Sequence, residues 1–168
     1  MKNITRIFIA GLVLFSGSTF SQEVIKGTFA IKNVSTGLVL RIKDANKAIG
    51  TPVVAYSPVN WKCVTWNFMH LGNNTYVLQN LFTGKTFEPK RKPSEGVTLE
   101  QRDVSTDKQT QQYEFLPGEN KSYLIRLKGT PLYLTPGNTK AVVNSNIILA
   151  PRKGSEQYWT ISEQHPDI

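Results

Sequence analysis

Histidines, carboxylates and a single thiol are the side chains of this sequence that could support catalysis. The chain has 168 residues but only two histidines, His70 and His165, and one cysteine, Cys63. None of them stands in the spacing of a nucleophile elbow or a zinc site, and no phosphate-binding loop is present, so a catalytic centre would have to be assembled from unrelated loops. We therefore expect no enzyme activity, no metal and no other cofactor.

Four carboxylates lie close together in the middle of the chain: Glu88, Glu95, Glu100 and Asp103. Two convergent carboxylates can act as general acid and base. The same segment also carries three consecutive basic residues, and acidic side chains beside basic ones are explained more simply as solvated ion pairs of small energetic value. A hydrolase is therefore the third-ranked hypothesis, and loss of hydrolysis on Glu88→Gln would support it.

Positive charge is the second chemical feature, with 20 Lys and Arg against 12 Asp and Glu and a formal charge of +8. Six basic residues form two clusters, one around a hairpin and one in a later loop: Lys85, Lys90, Arg91 and Lys92, then Arg152 and Lys153. Such clusters attract anionic polymers with an affinity that salt reduces. Outside a cell the expected partners are acidic polysaccharides and not nucleic acid. The alternative, that the charge only keeps the protein soluble, stays open.

The first 21 residues have the pattern of a secretory signal peptide. Lys2 and Arg6 precede the uncharged apolar run 7–15, which is too short to span a bilayer of about 30 Å. Small side chains follow up to Ser21, after which we predict cleavage. The mature chain, 22–168, would be secreted or periplasmic with a charge of +6. The short signal indicates a bacterial protein, and no later apolar run is long enough to form a transmembrane segment.

The mature chain repeats three times at an offset near 47 residues. Apolar residues and glycines recur together in six sets: Phe29, Tyr76 and Tyr123; Ile31, Leu78 and Ile125; Gly37, Gly84 and Gly129; Leu40, Phe87 and Leu132; Val53, Leu99 and Ile147; Trp66, Tyr113 and Trp159. Repetition at such a period is typical of folds that stack or close equivalent units. We predict one domain, 22–168, with repeats at about 25–72, 73–119 and 120–163.

Each repeat has the period of β-strands and not of helices. Apolar and polar residues alternate, as in Phe29-Ala30-Ile31-Lys32, so one face of the segment is apolar. Turn signals separate the strands, as in Ser35-Thr36-Gly37, where a tight hairpin needs glycine. Four short strands per repeat give twelve strands in an all-β fold. A unit of four strands cannot bury a core alone, so the three units must share one around a pseudo-threefold axis.

These features resemble the ricin B-type β-trefoil lectin domains over all three repeats. The resemblance is carried by an apolar-x-Asn opening, present as Ile31-Lys32-Asn33 and Leu78-Gln79-Asn80, by the Ser/Thr-Gly turn, and by a closing Gln-x-Trp. The closing motif is intact as Gln157-Tyr158-Trp159 and reads Val64-Thr65-Trp66 and Gln111-Gln112-Tyr113 in the other repeats. The resemblance implies a β-trefoil of three pseudo-equivalent four-strand repeats after the signal peptide.

The resemblance also implies where sugars would bind. In ricin-type lectins a repeat holds a sugar with an acidic side chain on its second strand, a ring at the end of its third strand and an amide at the closing motif. Carboxylate and amide bind hydroxyls, and the ring stacks on the apolar face of the sugar. In the second repeat these positions fall on Glu88, Arg102 and Gln111. A guanidinium in place of the ring would favour a carboxylated or sulfated sugar, unless Glu88 and Arg102 simply form a surface ion pair.

The other two repeats depart further from this set. In the first repeat Arg41 takes the acidic position, and only Tyr56 of the expected set remains. Asn60 and Trp61 in the following loop could replace the missing groups, with Trp61 as a stacking platform or as a residue that packs across the loop. In the third repeat the acidic position falls on Tyr133 and the ring position on Ala150, so we expect no ordinary sugar site there.

The leading hypothesis is a secreted, non-catalytic carbohydrate-binding β-trefoil that recognises an extracellular glycan, such as an acidic polysaccharide. The candidate site of the second repeat comprises Glu88, Arg102 and Gln111, and that of the first comprises Tyr56, Asn60 and Trp61. The alternative is a protein-binding trefoil, either a protease inhibitor or an assembly subunit, whose sugar pockets have decayed. It would use an exposed apolar or basic loop.

Overall fold

The computed structural model describes residues 23–168, so the predicted signal peptide, residues 1–21, lies outside the described residues. Residues 23–168 form twelve strands and four 3₁₀ turns. The strands are β1 (Thr28–Asn33), β2 (Val39–Ile42), β3 (Val53–Tyr56), β4 (Thr65–Gly72), β5 (Thr75–Asn80), β6 (Thr86–Pro89), β7 (Leu99–Arg102), β8 (Tyr113–Pro117), β9 (Tyr123–Leu127), β10 (Leu132–Pro136), β11 (Ile147–Pro151) and β12 (Tyr158–Glu163). The 3₁₀ turns are Lys43–Ala45, Lys62–Val64, Gln109–Gln111 and Ser155–Gln157. No helix within this part of the chain is long and apolar enough to cross a membrane.

Six of the strands close into an antiparallel barrel. Pairing runs from β1 to β4, β5, β8, β9 and β12, and β12 pairs with β1 again. The other six strands form the hairpins β2–β3, β6–β7 and β10–β11. Single bridges, such as Val54 with Asn146, join these hairpins to one another. A closed barrel with three linked hairpins is the β-trefoil that the repeats predict.

The core consists of equivalent residues from the three repeats, as a shared interior requires. Its central side chains are at most 1% exposed: Ile31, Leu78 and Ile125; Leu40, Phe87 and Leu134; Val53, Leu99 and Ile147; Trp66, Tyr113 and Trp159. The three closing aromatics make the same hydrogen bond, because Trp66 Nε1, the Tyr113 hydroxyl and Trp159 Nε1 donate to the carbonyls of residues 40, 87 and 134 at 3.2, 3.2 and 3.1 Å. One polar atom at the edge of each large ring thus ties β4, β8 and β12 to a hairpin.

The third repeat corrects one predicted equivalence. Leu134, and not Leu132, is the counterpart of Leu40 and Phe87, because Leu134 pairs with Leu149 and accepts the Trp159 bond. The glycine of the third repeat does not mark this position, because Gly129 lies five residues before Leu134, whereas Gly37 and Gly84 lie three residues before Leu40 and Phe87. The counterpart of Glu88 is therefore Thr135, and the prediction that Tyr133 takes the acidic position is wrong.

The apolar-x-Asn motif joins neighbouring repeats. Asn33 Nδ2 donates to the carbonyls of Glu156 and Tyr158 at 2.8 and 3.2 Å, and Asn80 Nδ2 donates to Cys63 and Thr65 at 3.0 and 3.4 Å. The Oδ1 atoms accept bonds from the turn that follows each asparagine. These two turns, and the turn of the third repeat, contain a glycine with φ near +70°, at Gly37, Gly84 and Gly129 (71°, 69° and 72°), where a side chain would be strained.

Candidate functional site

The three residues predicted in the second repeat meet in one cluster. Glu88 on β6 is 7% exposed, and its Oε2 accepts a bond from Gln111 Nε2 at 3.0 Å. Its Oε1 lies 3.7 Å from Arg102 Nε at the end of β7. The hairpin register places Glu88 opposite Glu100, which also contacts the Arg102 guanidinium. Arg102 thus lies between two buried carboxylates, and the predicted Glu88–Arg102 ion pair is present.

Lys108 also belongs to this cluster, although no pattern in the sequence indicates it. Its ammonium lies 2.7 Å from Glu88 Oε1, and half of its side chain is exposed. Lys108 precedes the 3₁₀ turn Gln109–Gln111 and lies three residues before Gln111. Because residues i and i+3 of a 3₁₀ turn lie on the same side, the turn places Lys108 near Gln111. The Glu88 carboxylate is therefore already satisfied by an amide and two cations. The cluster presents cations, and not a free carboxylate, to the solvent.

Gln111 supports the backbone as well as Glu88. It is 1% exposed, its Nε2 donates to the Asp103 carbonyl at 3.0 Å, and its Oε1 accepts from the Ser105 amide at 2.8 Å. Gln157 in the third repeat makes the same three contacts, to Thr135 Oγ1, the Pro151 carbonyl and the Lys153 amide. The amide of the closing motif therefore fastens the loop before it to the hairpin.

The second-repeat cluster also affects the core aromatic beneath it. Burial, together with the negative charge of Glu88, raises the pKa of the Tyr113 phenol well above its ordinary value. Both causes disfavour the phenolate. Tyr113 therefore stays neutral in the folded protein at a pH where an exposed tyrosine is already ionised.

In the first repeat the predicted aromatic residues lie side by side on the surface. The rings of Tyr56 and Trp61 have centroids 6.4 Å apart and planes inclined by 31°. Trp61 is 38% exposed, and the preceding residue, Asn60, lies in the same exposed loop. One part of Trp61 also lines an apolar cavity of about 180 Å³ with Cys63 and other residues. Trp61 thus both packs across its loop and offers an exposed ring surface.

The acidic position of the first repeat carries the opposite charge. The Arg41 guanidinium lies 4.0 Å from the centroid of the Tyr56 ring, in a cation–π arrangement. This contact covers one face of Tyr56, so Trp61 is the more accessible ring of the pair. With Arg41 in place of a carboxylate, the first-repeat site has an aromatic surface beside a cation.

The four carboxylates that lie close together in the sequence are all in ion pairs. Each pairs with a basic residue, although not with 90–92 as expected: Glu95 with Lys153 at 2.7 Å, Asp103 with Lys85 at 3.5 Å, and Glu88 and Glu100 as described above. His70 contacts the Asn73 carbonyl, and His165 contacts Glu163. Within residues 23–168 no three potential metal-ligating side chains come together.

The two basic loops are neighbours in space. The β6–β7 loop is held to β11 by the Gly96 amide, which donates to the Leu149 carbonyl at 2.8 Å. The Lys153–Glu95 ion pair then joins this loop to the one that follows β11. The sequence separates the clusters by about sixty residues, but the fold places both on the junction of the second and third repeats. We call the exposed residues Lys90, Arg91, Lys92, Arg152 and Lys153 the basic face.

Comparisons with known proteins agree with this architecture. A model of the ricin-type beta-trefoil lectin domain-like family matches residues 19–102, half of the chain. No curated protein matches the sequence. Among solved structures, the chain is similar to ThreeFoil, a designed 3-fold symmetric protein, with a TM-score of 0.77 and 21% identity over 82% of this chain and 99% of that one.

Two natural structures show the same likeness. The ricin B-like lectin of Macrolepiota procera, solved with lactose, has a TM-score of 0.72 and 19% identity over 84% of this chain and 99% of that one. The Rhizoctonia solani agglutinin has a TM-score of 0.75 and 18% identity over 85% of this chain and 99% of that one. At these identities the likeness shows the shared fold.

Proposed function

Because the chain belongs to the ricin-type beta-trefoil lectin domain-like family, we propose that it is a secreted, non-catalytic protein that binds an anionic extracellular glycan. Carbohydrate binding is the function that the family implies. The choice of an anionic glycan rests on one observation: two basic clusters that are distant in the sequence lie on neighbouring loops, which the Lys153–Glu95 ion pair joins. A surface of this kind raises the local concentration of a sulfated or carboxylated polymer.

The basic face fits a polymer better than the second-repeat cluster does. Lys90, Arg91 and Lys92 are exposed, whereas Arg102 is engaged by two carboxylates and Glu88 by Lys108. Lys153 is partly neutralised by Glu95, so the three consecutive residues supply most of the free charge. Arg102 and Lys108 add a cationic edge in the same repeat. The exposed ring of Trp61 offers a contact that salt does not weaken.

Retention on immobilised heparin and polygalacturonate, with dextran as the neutral polymer, tests the proposal. We expect strong retention at about 50 mM salt and only weak residual retention at about 500 mM, because the screening length falls from more than 10 Å to a few ångströms over this range. Dextran should not retain the protein. Absence of binding to both anionic polymers at low salt would overturn the proposal.

Matched variants distinguish the effect of the basic face on retention from the effect of net charge. Lys90→Gln, Arg91→Gln and Lys92→Gln together should abolish most of the retention. The control changes three exposed lysines elsewhere, Lys26, Lys32 and Lys43, to Gln and lowers the net charge equally. It should elute close to the unmodified protein. Equal losses in both triple variants would show that charge acts without a defined surface.

A protein partner is the second candidate, and one loop favours it. The β10–β11 loop is held against the first repeat, where the Asn144 amide donates to the Ala55 carbonyl at 2.8 Å. At its tip Val142 and Val143 are 45% and 41% exposed. Adjacent exposed apolar side chains on an anchored loop are typical of a protein contact. Inhibition of trypsin, chymotrypsin or papain that disappears in Val142→Ser, Val143→Ser would establish this function.

A further inference from the structure

A cavity of about 650 Å³ lies between the β8–β9 turn and the start of β12. Its walls include Val34, Gly118, Glu119, Asn120, Ser155 and Tyr158. Pockets that hold small organic ligands have volumes of roughly 300 to 1,000 Å³. None of the predicted acid, ring or amide positions lines it, so it is not one of the three repeat-equivalent sites.

The ring in this cavity is held rigidly. Tyr158 lies between the buried residues Gln157 and Trp159, and its carbonyl accepts the Val34 amide at 2.9 Å. Its hydroxyl accepts from Arg152 Nη2 at 3.1 Å, and the Arg152 guanidinium lies 5.0 Å from the ring centroid. A ring fixed from its backbone and from its hydroxyl loses little conformational entropy when a ligand stacks on it.

The facing turn is built to approach this ring. A Cβ at Gly118 would lie 2.5 Å from Tyr158 Cε1, so only glycine allows the turn to come this close. Ser122 fixes the turn, because its amide and its hydroxyl donate to the Glu119 carbonyl at 3.0 and 2.6 Å. The turn then presents the exposed side chains of Glu119 and Asn120, and Glu119 is in none of the ion pairs formed within residues 23–168.

The cavity therefore brings together a carboxylate, an amide and an aromatic ring. Carboxylate and amide bind neighbouring hydroxyls, and the ring accepts the C–H face of a pyranose. An anionic ligand is disfavoured, because Glu119 is the one charged residue among those that line the cavity. We propose that this cavity, which none of the basic-face residues lines, binds a neutral pyranose ring without charge attraction.

NMR titration of the ¹⁵N-labelled protein tests the site. The probes are lactose, N-acetylgalactosamine, maltose and N,N′-diacetylchitobiose at roughly 10 mM, ten times a weak dissociation constant of about 1 mM. We expect at least one of them to shift the amide signals of 117–122 and 155–160, to the same extent at low and high salt. No shift in either segment with any probe would overturn the proposal.

Two pairs of variants refine the test. The equivalents of Tyr158 are Thr65 and Gln112, so Tyr158→Thr introduces a residue that the fold already accommodates at this position, and Tyr158→Phe keeps the ring. We expect Tyr158→Thr to weaken binding by about tenfold or more, the loss of one stacking contact, and Tyr158→Phe to retain it. Unchanged binding in Tyr158→Thr would contradict a stacking site.

Asn120→Gly removes the amide at a residue with φ of 52°, and Asn73→Gly does the same at the equivalent turn, where φ is 47°. Only Asn120→Gly should weaken sugar binding, and equal effects would contradict the site. Heparin retention should not fall in Tyr158→Thr. A protein that binds heparin but no neutral sugar refutes this site alone, and the opposite result refutes only the anionic-glycan proposal.

Discussion

Gln111 donates its side-chain amide to Glu88 at 3.0 Å, and this bond links the closing motif of the second repeat to the predicted acidic position on β6. Gln157 makes the equivalent bond to Thr135 at 2.9 Å, where no carboxylate is present. The bond is therefore conserved between repeats although its acceptor differs. Its primary role is to hold the loop and hairpin together, and the carboxylate is the variable part.

Replacing Gln111 by Leu should destabilise the protein strongly. The change removes the Gln111 partner of the Asp103 carbonyl and of the Ser105 amide in a partly buried region, and it leaves Glu88 Oε2 only the longer contact with Thr110 Oγ1 at 3.4 Å. Each such loss in a buried setting costs about 1–3 kcal/mol. We expect a loss of about 3 kcal/mol in the free energy of unfolding, measured by urea denaturation. Gln79→Leu removes an amide bond at an exposed position and should change it by less than about 0.5 kcal/mol. Similar losses in the two variants would contradict the buried role of Gln111.

We expect the main role of Arg102 to be neutralising the charges of Glu88 and Glu100, which stabilises the fold, and not binding a ligand. Arg102→Met leaves Glu88 and Glu100 facing each other across the β6–β7 register. Because Lys108 still compensates Glu88 and the arginine is about one-third exposed, we expect a loss of about 2 kcal/mol, below the range for fully buried pairs. Adding Glu100→Gln should restore much of it. A double variant as unstable as Arg102→Met in thermal and urea unfolding would refute this role.

The repeat period, the strands and the closing aromatics could be predicted because identical physical demands recur three times along the chain. Ile31, Leu78 and Ile125 must fill the same layer, so their spacing is visible in the sequence. The error at Leu132 arose because the turn glycine and the strand register are fixed by different contacts. The glycine follows the turn's need for positive φ, whereas Leu134 follows its pairing with Leu149.

Contacts between loops could not be read in the same way. Lys108 with Glu88, and Lys153 with Glu95, are set by how loops of unlike sequence fold back, and no spacing rule encodes them. The cavity beside Tyr158 was missed for the same reason. Its ring stands at the variable position of Gln-x-Trp, and its turn contributes Gly118 from a different repeat. The one signal in the sequence was that Tyr158 is aromatic, whereas the equivalent residues of the other two repeats, Thr65 and Gln112, are not.

Alkaline unfolding should report on Tyr113. Its folded-state pKa is raised above the unfolded value of about 10, so the stability it contributes is present below that pH and declines as pH rises toward the folded-state pKa. We expect a loss of up to about 1.4 kcal/mol per pH unit above pH 10 from this residue. Tyr113→Phe should have a shallower slope than the unmodified protein, while being about 1 kcal/mol less stable near pH 8.

Trp159→Phe serves as the matched control for Tyr113. It removes the equivalent hydrogen bond, from Nε1 to the Leu134 carbonyl, but no titrating group. Its free energy of unfolding should be lower at every pH with an unchanged alkaline slope. Denaturant curves at several values between pH 8 and 11.5 would measure both variants. An equal slope in Tyr113→Phe and the unmodified protein would show that another group controls alkaline unfolding.

Trp61 should contribute the part of glycan binding that salt does not remove. Its ring is more accessible than that of Tyr56, which Arg41 covers on one face, and stacking on a sugar needs no charge. Trp61→Ala should therefore leave retention at low salt nearly unchanged but abolish residual binding at about 500 mM, where exposed charges are screened beyond a few ångströms. Trp61→Phe keeps a ring and should preserve that residual binding. If Trp61→Ala folds normally and still binds at high salt, Trp61 serves only to pack its loop over Cys63.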